Sequence, residues 1–214
     1  MEIRNSSPTQ NFGAKYISTT KIKEKIPFTP FYKKIDVDFV ELEHKHDIPS
    51  IKAYVVKDPY SALGAEILTD LRNSPCNNYR AFALTRQHKG HKELNPNEII
   101  GLCDGSYTCD WRDGNIFFIN HLETKSKNNK SRKPDKKLIS IFGFHFKVSD
   151  KLKGLGKAMI RNIIKIHDES LDAIQLESVK SAESFYEHLG FTNDSINPSY
   201  YRLPYDKFGR LNKF

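Results

Sequence analysis

The chain has 214 residues, 38% of them hydrophobic and 28% charged, a balance that is globular in type and suits one ordinary domain, with or without a tail. Its formal net charge of +8 favours anionic partners without choosing among nucleic acid, acidic protein, a membrane surface or a phosphorylated cofactor. No apolar run reaches the ~18 residues of a membrane span and the first residues lack an apolar signal core, so a cytoplasmic chain with no membrane partner is expected.

Residues 1–30 carry polar, Gly and Pro punctuation without steady periodicity and are expected to be extended or loosely ordered; residues 31–214 form the domain. "KIDVDFVELE" alternates imperfectly and predicts a first strand. "DPYSALGAEILTDLRN" predicts a helix, with Asp58 as N-cap, Pro59 in the first turn, and Leu63, Ile67, Leu68 and Leu71 at helical spacing. "YRAFALTRQ" and "NEIIGLCDGSYT" predict strands. "GNIFFINHL" and "LISIFGFHFKV" are apolar for too many consecutive residues to bury one face only, which predicts central strands covered on both sides. Cys76, Cys103 and Cys109 are an odd set without metal-ligand spacing, and reduced thiols with no metal are expected.

Between the last two strands lies "KSKNNKSRKPDKK", residues 125–137, with seven Lys or Arg against one acid and no apolar residue. It reads either as a solvated hairpin loop or as an anion-binding finger. No aromatic side chain is interleaved to stack on bases, so nucleic acid is not favoured.

"KLKGLGKAMI" follows, where a strand ends and Leu155, Met159, Ile160, Ile163 and Ile164 begin helical spacing. The first N–H groups of such a helix have no intrahelical acceptor and sit at the positive end of its dipole. Gly154 and Gly156 would leave those amides open to an anion, with Lys151, Lys153 and Lys157 adding charge. An ordinary strand–helix turn with solubilising lysines explains these ten residues as well. A Walker A loop is excluded, because Lys151 stands where its first glycine belongs and Ala158 where Ser or Thr should hold magnesium. A dinucleotide fingerprint survives only weakly, since Met159 replaces the third small residue.

Lys151, Gly154 and Gly156 resemble the [Gln/Arg]-x-x-Gly-x-[Gly/Ala] pyrophosphate loop of the GNAT family, the Gcn5-related N-acetyltransferases, with lysine at its first position. "SAESFYEHLGF" resembles the family's A-x-x-F-Y-x-x-x-G-F segment at Ala182, Phe185, Tyr186, Gly190 and Phe191. By spacing alone, Ala182, Phe185 and Leu189 share one helix face and Gly190 is a C-cap. Val179 stands where the family often has Asn.

The resemblance implies a mixed α/β fold with a mostly antiparallel sheet flanked by helices. It implies acetyl-CoA as cosubstrate and no metal, with the pyrophosphate on Lys151, Leu152, Lys153, Gly154, Leu155, Gly156 and Lys157. The strand of residues 138–148 would splay from "AIQLESV" and pair with the pantetheine amides around Phe144, Phe146 and Val148. Tyr186 would be the general acid for the leaving thiolate. His121 and Glu123 on one strand face, and His145 on the next strand, are candidate bases, with a water chain as an equal alternative. The function implied is acetyl transfer to a primary amine, small or protein-borne, by direct attack in a ternary complex, with a homodimer left open. The alternative is a non-catalytic module of the same fold, using its basic surface for an acidic partner or nucleic acid.

Overall fold

In a computed structural model the described residues are 13–26, 29–43, 45–57, 61–73, 78–86, 91–110, 114–124, 137–141, 144–148, 152–167, 170–193 and 197–211. The expectations for residues 1–12, Asp58, Pro59, Cys76, Lys151 and the basic segment up to residue 136 lie outside them. The described strands, in chain order, are β1 (Ala14–Lys25), β2 (Tyr32–Glu41), β3 (Tyr79–Thr85), β4 (His91–Lys92), β5 (Ile99–Asp110), β6 (Gly114–Thr124), β7 (Lys137–Ile141), β8 (Phe144–Val148), β9 (Leu152–Lys153), β10 (Ala173–Glu177), β11 (Thr192–Asn193) and β12 (Tyr200–Pro204). The helices are α1 (Ile48–Lys57), α2 (Ala62–Asn73), α3 (Leu155–His167), α4 (Glu183–His188) and α5 (Phe208–Leu211).

Ten strands make one sheet in the order β11-β12-β10-β6-β5-β3-β2-β1-β4, with β9 on β1. Every pairing in it is antiparallel except β6 with β10. That parallel pair is the consequence of α3, which returns the chain across the sheet between them. Alternation sends one set of side chains to each face. Phe39, Phe82, Leu84, Phe117 and Ile119 meet Met159, Ile160 and Ile163 of α3 and Tyr186 of α4. Val40, Ala83, Ile99 and Leu102 meet Ile51 and Tyr54 of α1 and Ile67 and Leu71 of α2.

Three elements differ from the sequence expectation. Ala14–Lys25, inside the segment expected to be extended or loosely ordered, is extended and pairs with β2 from Lys15↔Glu41 to Lys25↔Tyr32, with a bulge between Tyr16 and Ser18. Ala14, Ile22 and the half-buried Ile17 anchor it to the core, while Lys15, Lys21 and Lys23 stay exposed. Lysines on a near-edge strand hide its period from a hydrophobicity reading. Helix α1 was not anticipated, although Pro49 occupies a first-turn position that tolerates it and Ile51 and Tyr54 fall on one buried face.

The third difference is a correction. The strand expected over residues 138–148, splaying from β10, is not seen: residues 137–141 and 144–148 are two strands, β7 and β8, that pair with each other and, among the described residues, with no strand of the main sheet. Their register sets Ile139 opposite Phe146 and Ile141 opposite Phe144, with Leu138 opposite Lys147 and Lys137 opposite Val148. The neighbour of β10 is instead β6. Phe144, Phe146 and Val148 therefore do not lie on the strand beside β10.

Candidate functional site

The β6–β10 ladder runs from Ala173↔Ile116 to Leu176↔Ile119 and then stops. β6 continues to Thr124, whereas β10 ends at Glu177. Beyond Ile119, β6 thus has no ladder partner on its β10 side among the described residues. A bulge accompanies the parting: Asp104 pairs with His121 and Gly105 with Ile119, leaving Asn120 as the extra residue. Bulges bend and twist a strand, which widens such a gap.

The gap is a cavity of about 510 Å³. Its walls include Ile119, Asn120 and Leu122 of β6, Leu176 and Glu177 of β10, and Leu63 of α2. Val179, Ser181, Ala182 and Tyr186 close it from the α4 side. Tyr186 is only 8% exposed, and burial pushes its hydroxyl up to about 12, so the phenol keeps its proton at neutral pH. Its ring is held edge-on by Phe185 and Phe191, at centroid distances of 5.0 and 5.6 Å. Ala182 and Ser181 were not anticipated as a cavity wall, and neither was Asn120; the exposed Val179 is the residue that stands where the family often has Asn. No local pattern marks a bulge that depends on the partner strand's register.

The glycine turn lies where α3 begins. Gly154 has φ +85°, and the first intrahelical bond is donated by Ala158 N–H to its carbonyl at 2.9 Å. The N–H groups of Leu155 and Gly156 precede that bond and have no acceptor within the helix. A Cβ at Gly154 would meet nothing within 4 Å, so this glycine serves the left-handed backbone. At Gly156 a Cβ would lie 2.8 Å from Phe185 Cζ. The expected reason for this second glycine, clearance for an anion, is therefore accompanied by another: an aromatic ring tip already occupies its side-chain space. Leu152 and Leu155 are buried, while Lys153 is exposed and sets its ammonium 4.1 Å from the Tyr32 ring centroid. Burial and the neighbouring Arg161 lower the Lys157 ammonium below its usual range.

The two candidate bases on β6 differ in their surroundings. Glu123, 9% exposed, accepts from Ser61 Oγ at 2.5 Å, Gly64 N at 2.9 Å and Tyr54 Oη at 3.4 Å. It thereby caps the first turn of α2 from another element, satisfying an N–H the helix leaves open. His121 sets Nδ1 3.0 Å from Asp104 Oδ1 and 3.7 Å from Asp70 Oδ2. Asp104 is fully buried and also accepts from the His121 backbone N–H at 2.9 Å and Tyr79 Oη at 2.8 Å. The hydrogen bond to Asp104 raises the His121 imidazole, partial burial opposing it. Burial and the nearby Asp104 raise the Asp70 carboxyl. Asp70, Asp104 and His121 have the donor types of a metal site; Asp104 is within hydrogen-bond distance of the imidazole at 3.0 Å, whereas Asp70 stands off at 3.7 Å.

No protein-family profile and no curated relative matches the chain. Solved structures do. AtaTR bound with acetyl-CoA aligns at TM-score 0.55 and 14% identity, over 83% of this chain and 98% of that one. A protein of Exiguobacterium sp. 255-15 assigned as an acetyltransferase aligns at TM-score 0.52 and 14% identity, over 84% of this chain and 100% of that one. A bacterial toxin aligns at TM-score 0.52 and 17% identity, over 83% and 96%. The chain has the mixed α/β fold of the GNAT acetyltransferases, with a mostly antiparallel sheet flanked by helices.

Proposed function

We propose that this GNAT-fold chain moves an acetyl group from acetyl-CoA to a primary amine by direct attack in a ternary complex. The observation that carries the proposal is the parting of β6 from β10 into a cavity walled by a buried, protonated tyrosine. The neighbour bound with acetyl-CoA supports the choice of cosubstrate.

In this reading the first-turn amides of α3, at Leu155 and Gly156, receive the pyrophosphate, with Lys151, Lys153 and Lys157 adding charge. The pantetheine lies in the gap and pairs with the backbone of β6 beyond Ile119, a role that passes from residues 144–148 to β6 because β6 is the strand beside β10. The amine lone pair attacks the thioester carbonyl carbon, and the C–S bond breaks. Tyr186 Oη–H gives its proton to the departing thiolate, and the amide nitrogen loses its extra proton to a base. We assign that base to His121, because three donors already occupy the Glu123 carboxylate. Its chain neighbour Asn120 lines the cavity.

A base must be deprotonated, so kcat/KM should rise with pH through a midpoint above the ordinary histidine value of about 6.5. Asp104→Asn replaces the carboxylate that raises the imidazole with a neutral amide and should move that limb to lower pH. An unmoved limb would assign it to another group. The same pair gives a stability signature. Its contribution to folding is complete below about pH 6.5 and fades as pH climbs through the raised folded-state value.

CoA should raise Tm, since a ligand bound only by the folded state contributes about 2.7 kcal/mol at one hundred times its Kd. No shift at millimolar CoA, with a shift on adding an acidic polymer, would favour the non-catalytic module.

A further inference from the structure

Gly156 and Phe185 belong to different elements, 29 positions apart, yet the ring tip of one fills the side-chain space of the other. A Cβ on Gly156 would stand 2.8 Å from Phe185 Cζ, 3.4 Å from Cε1 and 3.5 Å from Cε2, so the ring addresses α3 end-on, at its first turn. The same ring packs edge-on against Tyr186, at 5.0 Å between centroids and 65° between planes. Phe185 is nevertheless 36% exposed, which is unusual for the residue that joins two buried elements. Spacing alone places it with Leu189 on a core face. In the fold Leu189 and Tyr186 take the core, and Phe185 bridges from α4 to the cofactor turn.

A short helix needs such a bridge. α4 has six residues, too few to hold itself, and its N-cap Ala182 supplies no side-chain hydrogen bond. Its orientation therefore rests on tertiary contacts, and the general acid sits on it.

We infer that Phe185 is a positioning residue for Tyr186. Seated on Gly156, it fixes the ring of Tyr186 relative to the turn that holds the pyrophosphate. The distance from pyrophosphate to thioester is set by the cofactor. Fixing both ends against one contact therefore places the phenol at the sulfur each time the cofactor binds. This inference rests on the reading of Tyr186 as the acid for the leaving thiolate. It explains why the second position of the turn has no side chain, which anion clearance alone does not require.

The test is a set of variants of the full chain: Gly156→Ala, Phe185→Leu, the two together, and each in a Tyr186→Phe background. The measurements are thiol release from acetyl-CoA, Kd for CoA by calorimetry, and Tm. Gly156→Ala should unseat the ring and lower kcat by on the order of 10-fold to 100-fold, the scale of a misplaced catalytic group, with Kd for CoA changed far less. Leucine lacks the ring tip, so Phe185→Leu should lower kcat modestly alone and restore much of the loss when added to Gly156→Ala. In the Tyr186→Phe background neither change should lower kcat further, because the group being positioned is gone. Equal losses with and without the Tyr186 hydroxyl would overturn the inference. So would a loss in CoA affinity matching the loss in kcat, which would make Phe185 a cofactor contact. Should Gly156→Ala fail to fold, Phe185→Leu with and without the hydroxyl carries the same comparison. If Tyr186→Phe alone leaves kcat at the wild-type level, the reading of the acid fails first, independently of this contact.

Discussion

Tyr186→Phe is expected to lower kcat for acetyl transfer by about 10²-fold to 10⁴-fold, the usual worth of a general acid. The substitution removes one oxygen and leaves the ring between Phe185, Phe191 and Tyr201, so packing is retained. KM for acetyl-CoA should move little, because the lost proton transfer matters as the thiolate forms and not while the thioester is bound. Tm should hold or rise slightly, since no described residue hydrogen-bonds the hydroxyl and nothing is left unpaired by its removal. Burial keeps the phenol protonated and available as a donor throughout the neutral range. A purely structural tyrosine, whose ring contacts survive the change, would give normal turnover with Tm equally unchanged, so kcat is the deciding quantity. Steady-state kinetics on this one variant decide between them.

Gly154→Glu is expected to raise KM for acetyl-CoA by tenfold or more, about 1.4 kcal/mol at least, with the loss growing as ionic strength falls. The position is open, so a Cβ there has no contact within 4 Å beyond its own chain neighbours and helix backbone. What it meets is the approach to the amides of Leu155 and Gly156, and a carboxylate there repels a pyrophosphate. The backbone exacts a separate penalty, because φ is +85° and a side chain in that region costs about 1–3 kcal/mol of stability. Gly154→Asn separates the two effects. Asparagine tolerates left-handed backbone better than most residues and brings no charge, so it should bind acetyl-CoA much closer to the wild-type level. Similar losses in both variants would mean that the backbone shape, and not the anion cradle, sets the affinity.

The legible parts of this fold were the ones written locally. Gly154 and Gly190 both have positive φ and bound their helices, and the apolar spacing of α3 from Leu155 to Ile164 needed no partner to be recognised. Tyr186 was singled out because its helix carries a recognisable string. The misses share a different cause. β1 pairs along its whole length with β2, but its outward lysines mask the period. Two apolar runs of similar strength, in β6 and in residues 138–148, compete for the place beside β10. A sequence cannot rank them, because the decision rests on which one α3 carries β10 back to. Glu123 shared a strand face with His121 in the sequence, and its occupation by Ser61, Gly64 and Tyr54 depends on α1 and α2 docking on that face. Asn120 became visible only when the register of β5 against β6 revealed the extra residue.

The most direct test of the account is to mix the protein with acetyl-CoA and a panel of primary amines, from polyamines to lysine-bearing peptides. Free thiol is followed with a chromogenic disulfide, and the amines are weighed by mass spectrometry. The account predicts thiol release in step with an added 42 Da on at least one amine, abolished or strongly reduced in Tyr186→Phe while CoA still raises Tm. An intact thioester with every amine, or release that Tyr186→Phe leaves unchanged, would contradict it.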